Sequence, residues 1–176
     1  FYTACGASFW VVDYRGYGQS TGRPSEAGLE DDVQAAWRWL TETRGVPAGH
    51  VVIAAESLGV SLATFLGRQV RPAGMVLEAG FTRAVDVAVR RYRWLPVRQL
   101  LRLRLATEEH LAQVRCPVLL VHSVDDQVVP ITLGRRLERR ARPPRTLLKV
   151  RGAHARACVE GGPRYRDGVR RWVEAL

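Results

Sequence analysis

Residues 53 to 59 read Ile-Ala-Ala-Glu-Ser-Leu-Gly. The β-branched run Val51-Val52-Ile53 enters this stretch, and from Leu58 to about Gln69 an apolar helical pattern leaves it. A strand that turns at once into a helix places Ser57 at the tip of a tight turn. Its hydroxyl then stands above the sheet, and the Leu58 N–H faces the point where an oxyanion would develop. The helix N-terminus adds a positive partial charge there. The pattern approaches Gly-x-Ser-x-Gly, with Ala55 at the first glycine position and Gly59 at the second. Small residues are needed because strand and helix backbones pass close together at such a turn. The plainer alternative is a serine that caps a helix after a buried strand.

Working outward, short apolar runs alternate with helical patterns, which predicts a parallel sheet covered by helices on both faces, a doubly wound α/β architecture. Expected strands are Phe9–Val12, Val51–Ala55, Met75–Ala79, Val118–His122 and Thr146–Val150. A glycine-rich loop, Arg15 to Gly22, follows the first. Ser25 is placed to cap a helix whose apolar face carries Leu29, Val33, Ala36, Trp37 and Leu40, ending at Gly45 and Pro47. The stretch 81–111 reads as irregular helices interrupted at Pro96, a cap-like insertion. Further helices are expected at Thr132–Arg140 and after Gly162-Pro163. Neither an internal repeat nor a linker divides residues 1–176, so one domain is expected.

Composition narrows the function classes. The formal net charge is +10, and Lys149 is the only lysine, so the basic character is almost entirely arginine. Arg135-Arg136 and Arg139-Arg140 fall in an expected helix, where the ordinary reading is a solvated face. The sharper reading is attraction to anionic substrates or a membrane surface. A nucleic-acid partner is not expected, because no helix-turn-helix, zinc-finger or RNA-binding aromatic signature accompanies the charge. Cys5, Cys116 and Cys158 lack Cys-x-x-Cys spacing, which argues against a disulfide framework and a cysteine metal site. No apolar run reaches the roughly 18–20 residues of a membrane span.

A serine at neutral pH needs a base, and the base needs an orienting acid. Val-His-Ser-Val-Asp-Asp-Gln-Val-Val-Pro, residues 121–130, puts Asp126 on a loop just after a buried strand. Its spacing from Val129-Pro130 favours it over the neighbouring Asp125. Val-Arg-Gly-Ala-His-Ala, residues 150–155, puts His154 on the loop after the last strand. Ser57, Asp126 and His154 thus all fall at carboxyl ends of strands, where open α/β sheets carry their sites. His50, His110 and His122 are weaker candidates for the base; His122 ends a strand and is expected to pack beneath the site.

Taken together, these segments resemble the α/β-hydrolase superfamily, in particular its alpha/beta-hydrolase-domain esterases and serine-aminopeptidase-like group. The likeness is carried in order by residues 11–32, by Glu-Ser-Leu-Gly-Val-Ser-Leu-Ala at 56–63, by Leu-Glu-Ala-Gly-Phe-Thr at 77–82, by residues 116–130 and by Arg-Gly-Ala-His-Ala at 151–155. The resemblance implies Ser57 as nucleophile, Asp126 as acid, His154 as base and the Leu58 N–H as an oxyanion donor. It implies hydrolysis of an ester, thioester or amide of a small-molecule or acylated substrate through an acyl-enzyme, without cofactor or metal. Trp94, Leu95, Leu100 and Leu103 are candidates for an acyl pocket, with packing inside the cap as the plainer alternative.

The pattern also departs from the family. Ala55 and Val60 stand where relatives often have glycine, and Ala155-Arg156 where they often have Asn-Asp. The strand and His-Gly loop that supply the second oxyanion donor in relatives have no counterpart here. An N-terminally truncated chain, weakly active or inactive, is therefore expected, with cytoplasmic or membrane-associated residence depending on what precedes it. The strands holding Val11 and Ile53 are expected to leave a gap or to pair directly. The competing function is a non-catalytic binding module of the same fold, which expects Ser57 and His154 to lie too far apart to hydrogen bond.

Overall fold

The computed structural model describes residues 6–176; Cys5 lies outside the described residues. Among the described residues the sheet has four strands, β1 (Val52–Glu56), β2 (Gly74–Glu78), β3 (Val118–Ser123) and β4 (Arg145–Val150), in the order β1-β2-β3-β4. All three pairings are parallel, with Ile53 opposite Met75 and Val118 opposite Arg145. A parallel pair needs a crossover rather than a hairpin. Helix α2 (Leu58–Gly67) makes the first crossover. The second is α3 (Ala84–Arg91), α4 (Val97–Leu100) and α5 (Thr107–Leu111), and the third is α6 (Ile131–Arg140). Before the sheet lies α1 (Glu26–Arg38), and after it α7 (Ala157–Glu160) and α8 (Gly162–Glu174).

The period-two alternation of the strands decides the two-sided core. Met75 and Leu77 of β2 and Val118 and Leu120 of β3 point to one face, against Val60 and Ala63 of α2, Leu111 of α5 and Leu137 of α6. Val76, Leu119 and Val121 point to the other, against Ala157, Tyr165 and Val169. Both central strands are therefore apolar on both faces through Met75–Leu77 and Val118–Val121, as a sheet covered on both sides requires, with polar side chains only at their carboxyl ends. Burying each of the fully covered leucines contributes roughly 1.5–3 kcal/mol. Close approach is enforced at Gly134 of α6, where a Cβ would sit 2.5 Å from His122 Nδ1.

The sequence expectations hold for four of the five strands. Phe9–Val12 does not form the fifth, and the alternative of a gap beside Ile53 is the one realised: β1 has β2 as its only strand neighbour among the described residues. The physical reason is that, among the described residues, no strand lies beside this segment for it to ladder with. Phe9, Trp10 and Val11 are exposed, and Trp10 instead stacks on Trp39 at 5.1 Å.

The glycine loop behind that segment is nonetheless well held. Ser20 Oγ donates to the Asp13 carbonyl at 2.8 Å, and Gln19 N–H donates to Asp13 Oδ2 at 3.2 Å. Gly18 adopts φ +53°, with Asp13 Oδ2 only 2.1 Å from where a Cβ would stand. Arg15 grips Asp32 of α1 through Nε and Nη2 at 2.9 and 2.7 Å. Ser25 caps α1 as expected, its Oγ accepting from Gly28 N–H at 3.2 Å. The apolar face of α1 is mostly half-buried, with Leu29 its buried anchor.

Candidate active site

The loop at Ser57 is a strand-to-helix turn, as read from residues 53 to 59. Ser57 has φ 51° and ψ −115°, a conformation L-residues rarely adopt. Its N–H donates to the Glu78 carbonyl at 2.9 Å, which ties the turn to the end of β2. Leu58 opens α2, so its N–H is among the first-turn donors that have no carbonyl within the helix to bind. Leu58 itself packs with Phe81, Leu105 and Val129 in an apolar cluster at the carboxyl end of the sheet.

Two further loops converge on this turn. Ser57 Oγ lies 3.0 Å from His154 Nε2, and His154 Nδ1 lies 2.7 Å from Asp126 Oδ2. The buried carboxylate of Asp126 can only accept, so His154 Nδ1 carries the proton and Nε2 is left to accept from the serine hydroxyl. Asp126 Oδ1 accepts from the N–H groups of Val128 and Val129, each at 2.8 Å, so both carboxylate oxygens are committed. Asp125 points elsewhere, toward exposed Arg151 at 3.4 Å.

The His154 loop is itself braced. Ser123 Oγ donates to the Gly152 carbonyl at 2.5 Å, and Ala153 N–H donates to Glu160 Oε2 at 2.8 Å. That N–H, then the Arg156 guanidinium, holds the Glu160 carboxyl below its ordinary range. Ala155, directly after the histidine, sits at φ 58°.

Of the other histidines, His122 lies beneath the acid loop as expected. It is buried, its Nε2–H donates to the Val129 carbonyl at 2.8 Å, and burial pushes its pKa down. It lies under the loop, 3.9 Å from Asp126 Oδ2. His50 is exposed before β1, and His110 stacks edge-on to Phe65 on α2. The separation of Ser57 from His154 that a non-catalytic module would entail is absent; the two side chains are in hydrogen-bond contact.

The four pocket candidates fall outside this convergence. Trp94 is 79% exposed, Leu100 63%, Leu103 44% and Leu95 39%. Their exposure does not fit packing inside a cap core; the covered side chains of α3 and α4 include half-buried Val87 and buried Val97.

The sequence reading missed Glu78 and Tyr165. Glu78 ends β2 opposite Glu56, the residue before the serine. Its buried carboxylate accepts from Tyr165 Oη of α8 at 2.9 Å. Burial raises the Glu78 pKa, and the tyrosine hydroxyl pulls it partly back. Glu56 is raised by burial too, offset in part by His154. A carboxylate ending the otherwise apolar run Met75–Leu77 was the available signal; nothing in the sequence marked Tyr165 as its donor.

No protein-family model matches the chain. It is 38% identical over 169 residues to Uncharacterized protein Rv2307c of Mycobacterium tuberculosis, covering 96% of this chain and 60% of that one. It is 34% identical over 145 residues to the Lysophosphatidylserine lipase ABHD12 of Danio rerio, covering 72% of this chain and 37% of that one. The chain thus spans less than two thirds of the length of either. Among solved structures, Esterase Pf2001 of Pyrococcus furiosus superposes with a TM-score of 0.74 at 16% identity, over 93% of this chain and 67% of that one.

Proposed function

We propose that the chain, which has the α/β-hydrolase fold, is a serine hydrolase of that superfamily. Its reaction would be cleavage of an ester, thioester or amide through an acyl-enzyme. One observation carries the reading: the unbroken relay from Ser57 Oγ through His154 to Asp126, at 3.0 and 2.7 Å. Likeness to a lipase by sequence and to an esterase by fold supports the same reaction class.

His154 Nε2 takes the Ser57 proton as Oγ attacks the substrate carbonyl carbon. The carbonyl oxygen becomes an oxyanion beside the Leu58 N–H and the positive end of α2. The tetrahedral adduct collapses, the bond to the leaving group breaks, and the leaving group takes the proton from His154. Water then gives His154 a proton and attacks the acyl carbon; the bond to Ser57 Oγ breaks, the acid leaves, and Oγ takes the proton back from His154. Asp126 holds the imidazole tautomer throughout.

A fluorophosphonate probe tests this. Labelling of the parent chain, abolished in Ser57→Ala, is the expected result. A parent chain that keeps its fold and never labels would remove the hydrolase reading.

A further inference from the structure

We propose that the stretch between Asp86 and Glu108 is a docking surface for an anionic lipid interface, which presents lipid-borne acyl groups to Ser57. The interval contains no acidic residue and six arginines, Arg90, Arg91, Arg93, Arg98, Arg102 and Arg104. Among the described residues, no carboxylate lies within ion-pairing distance of any of the six side chains. Interleaved with them are the exposed side chains of Trp94, Leu100, Tyr92, Leu103 and Leu95, from 79% down to 39% exposed.

Either half of this pattern alone would have an ordinary explanation. Arginines on their own make a solvated face, and single exposed apolar residues are common on protein surfaces. Combined on one short segment, they match a bilayer interface. There the guanidinium groups meet anionic headgroups while tryptophan, tyrosine and leucine enter the boundary of the acyl chains. A nucleic acid would neutralise the arginines and leave the leucines in water, so the lipid is the better fit.

The segment is fixed rather than loose. Val97 and Leu105 are buried beneath it, and the N–H groups of Arg104 and Leu105 each donate to the Glu26 carboxylate of α1 at 2.8 Å. Its underside reaches the nucleophile turn, since Leu105, Ala84 and Val87 share one apolar cluster with Leu58. A surface seated on this segment therefore lies on the same rim as Ser57. The substrate class rests on the hydrolase reading; the docking does not.

Co-sedimentation of the chain with vesicles of phosphatidylcholine, with and without added phosphatidylglycerol, measures the docking directly. Binding is expected with phosphatidylglycerol only, and it falls as salt rises. Arg98→Gln and Arg102→Gln each weaken it about five-fold, the factor that ~1 kcal/mol per arginine near the surface gives. Trp94→Ala with Leu100→Ala weakens it while preserving the salt dependence. These side chains are exposed, and unchanged circular dichroism verifies the fold. Equal binding to both vesicle types overturns the proposal, as do arginine variants that bind like the parent. Tight binding to a single-stranded oligonucleotide without vesicle binding overturns it too. Ser57→Ala is expected to sediment like the parent. Vesicle binding by a parent chain that never labels with fluorophosphonate would leave docking intact and sink hydrolysis alone.

Discussion

Replacing Asp126 by asparagine tests the relay at its most constrained point. Asp126 Oδ1 accepts two backbone N–H groups, from Val128 and Val129, and Oδ2 accepts from His154 Nδ1. An asparagine has one acceptor oxygen. Turning that oxygen toward His154 would leave the amide NH2 facing two backbone donors at 2.8 Å, a clash of hydrogens with no bond formed. The amide therefore keeps its oxygen on the loop and presents NH2 to Nδ1. His154 must then accept at Nδ1 and carry its proton on Nε2, the nitrogen 3.0 Å from Ser57 Oγ. A histidine in that tautomer cannot take the serine proton.

The expected loss is about 10⁴-fold, or ~5.5 kcal/mol of barrier at ~1.36 kcal/mol per decade. Stability should change little, because the two loop bonds survive. Asp126→Ala separates the two effects: it loses activity and also strands the Val128 and Val129 N–H groups, at about 1–3 kcal/mol for each left buried. The assay is the second-order rate of fluorophosphonate labelling for parent, Asp126→Asn and Asp126→Ala, alongside urea midpoints for all three. Labelling of Asp126→Asn within about three-fold of the parent, against the tautomer loss expected for a triad, would refute the reasoning.

Four other perturbations have defined outcomes. Ala155→Gly relieves a left-handed conformation that costs an alanine roughly 1–2 kcal/mol, and a raised urea midpoint would verify it. Gly134→Ala drives a methyl into His122 and is expected to destabilise by about 1–3 kcal/mol, measured the same way. Tyr165→Phe removes the donor to the buried Glu78 carboxyl and is expected to destabilise by about 1–3 kcal/mol, visible in thermal unfolding. Glu78→Gln tests pH linkage. Because burial raises the folded-state pKa of Glu78, the native chain binds the extra proton, and stability falls as pH rises through the interval from the unfolded value, about 4.3, to the raised folded one. The glutamine variant should lack that decline, and parallel midpoint curves for parent and variant would disprove it.

The sheet was legible because its strands advertise themselves. Val118–Ser123 is apolar for four residues and bounded by Pro117 and Asp125-Asp126, and no helical spacing competes with that reading. The three members of the relay were legible because each follows such a strand, and position after a strand fixes the rim on which a loop emerges. Phe9–Val12 looked the same locally, yet strand formation depends on a neighbour, which local sequence does not encode. Trp94, Leu95, Leu100 and Leu103 were read by hydrophobicity as things to be enclosed. Their exposure follows instead from a short insertion whose covered side is already supplied by half-buried Val87 and buried Val97 and Leu105. The Glu78–Tyr165 bond spans 87 positions in sequence, a distance over which no local pattern speaks.

The strain in the backbone has an address. Among the described residues, four that are not glycine have positive φ: Ser57, Ala79, Leu105 and Ala155. Ser57 and Ala79 directly follow β1 and β2, Ala155 follows the histidine in the loop beyond β4, and Leu105 shares the cluster that holds Leu58. All four therefore lie around the carboxyl-end rim, and none lies within the strands beneath it. Conformations costing of order 1–3 kcal/mol each persist only where the surroundings over-determine them. Here the surroundings are Ser57 N–H bound to the Glu78 carbonyl, Ala79 N–H bound to the Val121 carbonyl, and Ser123 and Glu160 clamping the histidine loop. A core packed on both faces of β2 and β3 supplies the stability that this rim draws down. What the rim gains is a serine hydroxyl, an imidazole and a carboxylate held in line before any substrate arrives, so that little reorganisation is left for the reaction itself.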